Sequence, residues 1–165
     1  LELLARNIYI NKLGNITIMP LPISNNNQDN YFSMTNTQWG GALSSYGTNN
    51  NWEGEKMNIK FKYKLFSIMP QTLVSTYDLK YPDYLKIDVD GTEDLILISF
   101  EKNIKKIKSI LIEVNDNFIE QKNNIESFLL SNNFKLVQKA QSDLIKKFPK
   151  SFHKSYNQIW VNGNV

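Results

Sequence analysis

The chain contains no cysteine, and this absence excludes disulfide bonds, thiolate metal sites and cysteine nucleophiles together. Because such a composition suits a reducing compartment, the predicted location is cytoplasmic. No apolar run approaches the roughly 18 residues that a membrane-spanning helix needs, which predicts no membrane partner. The excess of positive over negative charge is also small, with a formal net charge of +3, and the only dense basic run is residues 103–108. This distribution predicts no nucleic-acid partner.

The residues that are present suffice for one hydrophobic core. The 165-residue chain is 41% hydrophobic and 12% aromatic, which suits one domain over residues 1–165 and is short for two. From residue 72 onward, apolar strand-like runs alternate with helix-like segments. This order is typical of an α/β protein with a mostly parallel sheet covered by helices on both faces. The last two runs, residues 134–139 and 156–162, predict a closing antiparallel pair.

The first half of the chain has a less regular pattern. Residues 1–14 have the apolar spacing of a helix. Residues 15–23 form an apolar run that predicts a buried strand of the parallel sheet, and residues 31–34 predict a short strand. Residues 35–57 are rich in Gly, Ser and Asn and predict a long loop, in which tryptophans could line a pocket or hold the loop to the core. Residues 57–66 alternate between apolar residues and lysines, which predicts a half-exposed antiparallel strand.

Acidic residues cluster at one strand-to-helix turn, in the sequence DYLKIDVDGTEDL. Asp88 and Asp90 follow an apolar strand-like run, Gly91 breaks that run, and Glu93 opens the next helix-like segment. Because open α/β sheets bind ligands at the carboxyl ends of their strands, we expect these acids to lie together at that edge. Glu113 ends the next apolar strand. An isolated buried carboxylate is costly, so Glu113 must belong to a site or to an ion pair.

Each acid also has a structural explanation. Asp88 is interpreted as a residue that orients or deprotonates a hydroxyl, with helix capping or pairing to Lys86 as the alternatives. Asp90 stands three residues before Glu93, the spacing of a capping box, so it is expected to cap the helix or to bind substrate. Glu93 lies in the first helical turn, where the helix dipole alone favours an acid. Catalysis and the dipole explain Glu93 equally well.

Three motifs occur in the order YLKIDVDGTEDLIL, SILIEVN and YNQIWVN. They resemble the C-terminal two-thirds of the FkbM family of S-adenosylmethionine-dependent methyltransferases, in which a strand-to-helix motif of the form iKiDvEGaE precedes an IEv strand. Upstream, ARNIYINKLGNITIMPLPISNNNQDNYF and the loop GGALSSYG are similar to further stretches of that family. The resemblance implies a Rossmann-like class I methyltransferase sheet, present here as a partial domain truncated at the N-terminus.

The resemblance, combined with the positions of the acids, predicts a function and three sets of residues. The expected reaction is methylation of a hydroxyl on a sugar, glycan or secondary metabolite, with S-adenosyl-L-methionine as cofactor. The expected catalytic residues are Asp88, Glu93 and Glu113. The expected cofactor-binding residues are Ile23, Ser24 and Asp88. The expected substrate-binding residues are Asp90, Ser44, Ser45 and Trp39. The Gly-rich turn that holds the cofactor in class I methyltransferases is absent, so this chain alone is expected to bind it poorly and to be inactive.

Two other interpretations stay open. The letters DVDGT match the DxDGT motif of haloacid-dehalogenase-type phosphatases, in which the first Asp, here Asp88, is the nucleophile and the second is a general acid acting with magnesium. That family needs a Ser or Thr near the place where this chain has Glu113. The absent Gly-rich turn favours instead a non-catalytic Rossmann-like interaction module. No residues are assigned to a metal.

Overall fold

Helices and strands alternate along the part of the chain that the computed structural model describes, which is residues 1–141, 143–147, 149 and 153–164 without the side chains of residues 144 and 146. The α-helices are α1 (Glu2–Ile10), α2 (Pro70–Thr76), α3 (Glu93–Ser99) and α4 (Ile119–Ser131). The strands are β1 (Asp29–Met34), β2 (Ser45–Tyr46), β3 (Phe61–Phe66), β4 (Tyr84–Ile87), β5 (Ser109–Asn115), β6 (Phe134–Ala140) and β7 (Ser155–Asn162). Two 3-10 turns span Glu101–Lys106 and Asp143–Lys147. The predicted α/β class is confirmed.

A four-stranded sheet of order β4-β5-β7-β6 carries the hydrophobic core. β4 and β5 pair in parallel, with Ile87 opposite Ile112. β7 pairs antiparallel with β5 and with β6, and the β6 register shifts between Leu136 and Gln138. β4, β5 and β6 therefore run in one direction, and β7 alone is reversed.

The predicted antiparallel pairing of the last two strands is confirmed. The predicted mostly parallel sheet is found in part: three of its four strands run in one direction, but the sheet is mixed, and β4 with β5 is its single parallel pair among the described residues. The cause is the position of β7, which lies between β5 and β6 and not at the outside. There it covers the second edge of β5, where Trp160 lies opposite Ile110 and both are buried. This position also lets the backbone of β7 form hydrogen bonds along both of its edges.

A three-stranded antiparallel sheet of order β2-β1-β3 comes from the first half of the chain. The predicted strand with alternating lysines is confirmed as β3, which lies at an edge of this sheet. Lys64 of β3 forms an ion pair with Asp29 at 2.7 Å. The predicted loop over residues 35–57 contains the two-residue strand β2 and is otherwise irregular apart from one bridge between Asn50 and Lys56.

Residues 15–23 do not form the predicted strand. Ile23 alone makes a bridge, in parallel with Ile68, and the rest of the segment is irregular. Pro20 and Pro22 explain the error, because proline has no backbone N–H and is excluded from the interior of a sheet. The predicted N-terminal helix exists as α1, but none of its residues is buried.

The core lies between the four-stranded sheet and the segments that cover it. Its fully buried members alternate along β5 and follow helical spacing in α4, where Ile125 and Leu129 lie on one face. α3 and the following 3-10 turn add Leu97 and Ile104, both at 0% exposure. None of the described helices is long and apolar enough to cross a membrane.

Candidate functional site

Carboxylates gather where β4 and β5 end. Because these strands pair in parallel with Ile87 opposite Ile112, the residues that follow, Asp88 and Glu113, come next to each other. Asp90 and Glu93 reach the same place through the turn that leads from β4 into α3. The structure thus brings four of the acidic residues singled out in the sequence to one edge of the sheet.

Glu113 has the most perturbed environment of this group. Burial raises its pKa to about 7, and the negative charges of Asp88, Glu93 and Asp90 contribute to the rise. A hydrogen bond to Asp88 also raises the pKa of Glu113, because it requires a proton between the two carboxyl groups. Glu113 can therefore release or accept a proton near neutral pH, next to Asp88.

Asp88 is the accessible member of this pair. Its side chain is 43% exposed and forms an ion pair with Lys86 at 2.8 Å. The alternative of pairing with Lys86 is therefore present in the structure, and it coexists with the contact to Glu113. A hydroxyl arriving from solvent would meet Asp88 first.

Glu93 holds the turn together and is closed to solvent. Its side chain is 3% exposed. Oε1 accepts a hydrogen bond from the backbone N–H of Val89 at 3.0 Å, and Oε2 accepts one from the N–H of Gly91 at 3.1 Å. The side chain of Gln121 in α4 donates a further hydrogen bond to Oε2 at 2.8 Å. These contacts fix the backbone on either side of Asp90.

Two opposing effects act on the pKa of Glu93. Burial raises it, whereas the hydrogen bonds from the Val89 and Gly91 amides and from Gln121 lower it. The net shift is upward because burial is the larger effect. With both oxygens engaged, Glu93 positions the turn, and direct contact with a substrate would require it to release these partners.

Asp90 does not cap α3, so the capping-box prediction is wrong. The N-cap residue is Thr92, and its side chain makes no capping hydrogen bond. Asp90 adopts a left-handed conformation with φ 59°, which aims its carboxylate at the long loop. There Oδ2 accepts a hydrogen bond from the Leu43 N–H at 3.0 Å. Burial raises the pKa of Asp90, while backbone hydrogen bonds from Leu43 and Ser44 lower it, and the net shift is upward.

Gly91 allows the long loop to pack against the turn. Its φ of 116° is strained for any residue with a side chain. A Cβ at this position would also lie 2.9 Å from the carbonyl oxygen of Asn51 and 3.1 Å from the Cα of Trp52. Asp90 and Gly91 together therefore bind two parts of the long loop over the carboxylates.

A small polar recess lies beneath this loop. It has about 10 Å³ of space, roughly what one water molecule needs. Glu93, Glu113 and Gln121 line it together with Trp52. Sequence reasoning missed Gln121, although a signal existed: it shares the buried face of α4 with Ile125 and Leu129, and a polar residue in an apolar stripe needs a partner.

The other predicted substrate residues lie at different places. Ser44 meets Asp90 through its backbone N–H. Ser45 is 1% exposed in β2, opposite Ser33 in β1. Trp39 is 80% exposed and lines a recess formed with the first residues of α1. The structure does not bring Trp39 to the carboxylates, and Trp52 is the tryptophan found there.

Of the predicted cofactor residues, Asp88 lies among the carboxylates, whereas Ile23 and Ser24 line other cavities. An apolar groove of about 370 Å³, here called the β4 groove, has Ile23 and Val89 in its wall, and Val89 directly follows Asp88. Ser24 donates a hydrogen bond to Asn25 at 3.4 Å and lines a smaller polar recess of about 50 Å³.

S-adenosylmethionine does not fit these residues as a whole. Its ribose and charged amino-acid end need polar partners. The described part of the β4 groove offers two polar side chains, Lys80 and Lys86, and Lys86 already pairs with Asp88. The polar recess beside Ser24 is too small for such a ligand. No group of three or more His, Cys, Asp or Glu side chains within the described ranges is arranged to hold a metal ion.

Comparison with known proteins adds no relative to this picture. No family model, no curated protein and no solved structure matches the chain.

Proposed function

We propose that this chain is part of a Rossmann-like class I methyltransferase that methylates a hydroxyl oxygen, with S-adenosylmethionine as the methyl donor. The observation that carries the proposal is the pair of Asp88 and Glu113 at the carboxyl ends of adjacent parallel strands. Ligands of open α/β sheets bind at that edge. The resemblance of YLKIDVDGTEDLIL and SILIEVN to the FkbM family supports the same assignment, because each motif contains one member of this pair.

The pair supplies a place for the proton that O-methylation releases. A hydroxyl oxygen that gains a methyl group must lose its hydrogen. The exposed carboxylate of Asp88 would receive the hydrogen bond from this hydroxyl, and the proton would pass to the pair when Glu113 is ionised. Because the pKa of Glu113 is about 7, this state forms near neutral pH. A sugar or another polyol is the acceptor class that this chemistry suits.

The methyl donor has no complete site among the described residues, so no step is assigned to it here. Binding of S-adenosylmethionine to this chain should accordingly be weak. The lack of a complete donor site among the described residues also supports the alternative function, a non-catalytic interaction module. Methyl transfer by a longer protein that contains this chain and supplies the donor site distinguishes the two functions.

The phosphatase alternative receives less support. In that mechanism the second Asp of DxDGT must be free to act as a general acid. Asp90 stands at that position, and its carboxylate accepts hydrogen bonds from the Leu43 and Ser44 amides. Asp88 already forms an ion pair with Lys86 and lies against Glu113, which weakens it as a nucleophile.

Methyl transfer from radiolabelled S-adenosylmethionine to methyl glycosides and simple polyols, measured with a longer protein that contains this chain and a donor site, tests the proposal, because the chain alone is expected to be inactive. The rate should rise with donor concentration and with pH through about 7, where Glu113 loses its proton. Asp88→Asn should reduce the rate by about 100-fold without unfolding the protein. Asp83→Asn is the matched control, because Asp83 precedes β4 and pairs with Lys108. Absence of transfer to every acceptor, or an unchanged rate in Asp88→Asn, would contradict the proposal.

A further inference from the structure

The pair of Asp88 and Glu113 continues into a longer row of polar side chains. Strand pairing places Asn157 of β7 directly opposite Glu113, on the side of β5 that faces away from Asp88. Directly opposite residues of an antiparallel pair lie on the same face of the sheet, with Cβ atoms about 5 Å apart. Asp88, Glu113 and Asn157 therefore form one row across the adjacent strands β4, β5 and β7.

β7 carries three side-chain amides, and two of them have internal partners. The Oε1 of Gln158 accepts a hydrogen bond from the indole Nε1–H of Trp160 at 2.8 Å. The Nδ2 of Asn162 donates a hydrogen bond to the carbonyl oxygen of Ile107 at 3.0 Å. The side chain of Asn157 makes no hydrogen bond in the described part of the chain, so its amide is available to a group from outside.

The sheet itself gives no reason for an asparagine at position 157. Asparagine is one of the residues that strands disfavour, yet Asn157 lies in β7, which is paired along both edges. Asn157 is half-buried, and its neighbour on the β6 side is Ala140, whose methyl group takes up little space beside the amide. An amide that is partly open to solvent, next to a pair of carboxyl groups, suits the binding of a polar ligand.

We propose that Asn157 binds a second hydroxyl of the acceptor, beside the hydroxyl that Asp88 receives, so that the acceptor is a polyol with two neighbouring hydroxyls. This inference rests on the proposed function. A carboxamide donates hydrogen bonds from its nitrogen and accepts them at its oxygen, and a hydroxyl does both as well. Because Glu113 lies between Asp88 and Asn157, a diol seated over Glu113 would contact both of its neighbours.

Asn157 would thereby determine which acceptors are used. An alcohol with a single hydroxyl would leave the amide without a partner, and a site that binds a substrate hydroxyl disfavours the analogue that lacks it. The loss of one hydrogen bond at a half-exposed position corresponds to a factor of about ten in kcat/KM. Asp88 and Glu113 act on the hydroxyl that is methylated, whereas Asn157 would act on its neighbour.

Matched acceptors measure the contribution of the second hydroxyl, in a longer protein that contains this chain and a donor site. We expect kcat/KM to be at least about tenfold higher for the better isomer, cis or trans, of vicinal cyclohexanediol than for cyclohexanol. In Asn157→Ala this ratio should fall to about two, the value expected from the number of hydroxyls alone. Asn123→Ala is the control, because Asn123 is exposed on α4, and it should leave the ratio unchanged. Circular dichroism checks that both variants are folded.

Binding without methyl transfer is measured on the unmodified 165-residue chain, so it does not depend on a variant that folds. The nitrogen-15 and proton NMR signals of the Asn157 side-chain amide should shift saturably with cyclohexanediol and less with cyclohexanol. A shift at Asn157 without methyl transfer by the longer protein would contradict the proposed function and support polyol binding at Asn157.

Two results would overturn the inference and leave the proposed function intact. The first is methyl transfer with the same preference for the diol in Asn157→Ala as in the unmodified protein. The second is methyl transfer with no preference for either diol beyond the number of its hydroxyls. Absence of any shift at Asn157 with either diol would also overturn the inference.

Discussion

The two sheets of this protein differ in how much of their apolar surface is buried. Along β5 the residues on one face, Ile110, Ile112 and Val114, are 0% exposed. β3 has no buried residue, and Leu65 is its single partly buried one. The four-stranded sheet therefore rests on a hydrophobic core, whereas the three-stranded sheet depends on strand pairing and on loop contacts. Regions with little apolar burial open at a lower free-energy cost than the core does.

The candidate site lies where these two regions meet. The core-supported sheet supplies the carboxylates, and the long loop from the other region lies over them. Asp90 and Gly91 make the connection through contacts with Leu43 and Asn51. A stable sheet that carries the carboxylates, under a loop that opens more easily, suits a site that must hold charged groups in place and still admit a substrate.

The largest expected difference between the two sheets concerns stability. Ile112→Ala removes a fully buried side chain and should lower the free energy of unfolding by about 2–5 kcal/mol. Leu65→Ala in the three-stranded sheet should lower it by about 1 kcal/mol or less, since Leu65 is only partly buried. Urea unfolding followed by circular dichroism measures both. Equal losses would show that the two sheets share one core, contrary to the comparison.

A second difference concerns the turn between β4 and α3. Glu93→Gln replaces one acceptor oxygen with an amide group that faces backbone N–H donors or Gln121. We expect a loss of about 1–3 kcal/mol in the free energy of unfolding. Glu120→Gln is the control, because Glu120 is exposed in the first turn of α4 and should change stability by about 0.5 kcal/mol or less. If Glu93→Gln left the free energy of unfolding unchanged, the turn would not depend on these hydrogen bonds.

The smallest expected effect depends on pH. The pKa of Glu113 is raised from 4.5 to about 7 in the folded protein, so the folded state binds more protons than the unfolded chain between these values. Stability should therefore fall as pH rises through this range. Glu113→Gln removes this dependence and should raise the free energy of unfolding at pH 8 by about 1–2 kcal/mol, a figure reduced for partial exposure. At pH 4 the variant should have the same free energy of unfolding as the unmodified protein. If the two proteins were equally stable at pH 8 as well, the raised pKa of Glu113 would be contradicted.

The sequence predicted the core-supported region better than the other one. Apolar runs and helical spacing identified β4, β5, α3 and α4 because burial imposes those patterns directly. Residues 15–23 have a similar apolar content, but Pro20 and Pro22 remove the hydrogen-bond donors that a central strand needs. The position of β7 between β5 and β6 depends on contacts between distant segments, which no local pattern records.

The acidic cluster was also visible in the sequence, but the role of each acid was not. The parallel pairing of β4 with β5 brings Asp88 and Glu113 together, and the alternation of strand-like and helix-like segments predicted that pairing. The capping interpretation of Asp90 failed because its partner, Leu43, lies 47 residues away. The contact of Glu93 with Gln121 spans 28 residues and depends on how α4 packs.

The central claim is that the pKa of Glu113 is raised to about 7 by its burial and by the neighbouring Asp88. Carbon-13 NMR of the glutamate side-chain carboxyl groups, assigned with Glu113→Gln, measures this directly. We predict a midpoint near pH 7 for Glu113 and a clear downward shift in Asp88→Asn, where one negative charge is lost. A midpoint near the ordinary value of 4.5, or one that Asp88→Asn leaves unchanged, would contradict the account.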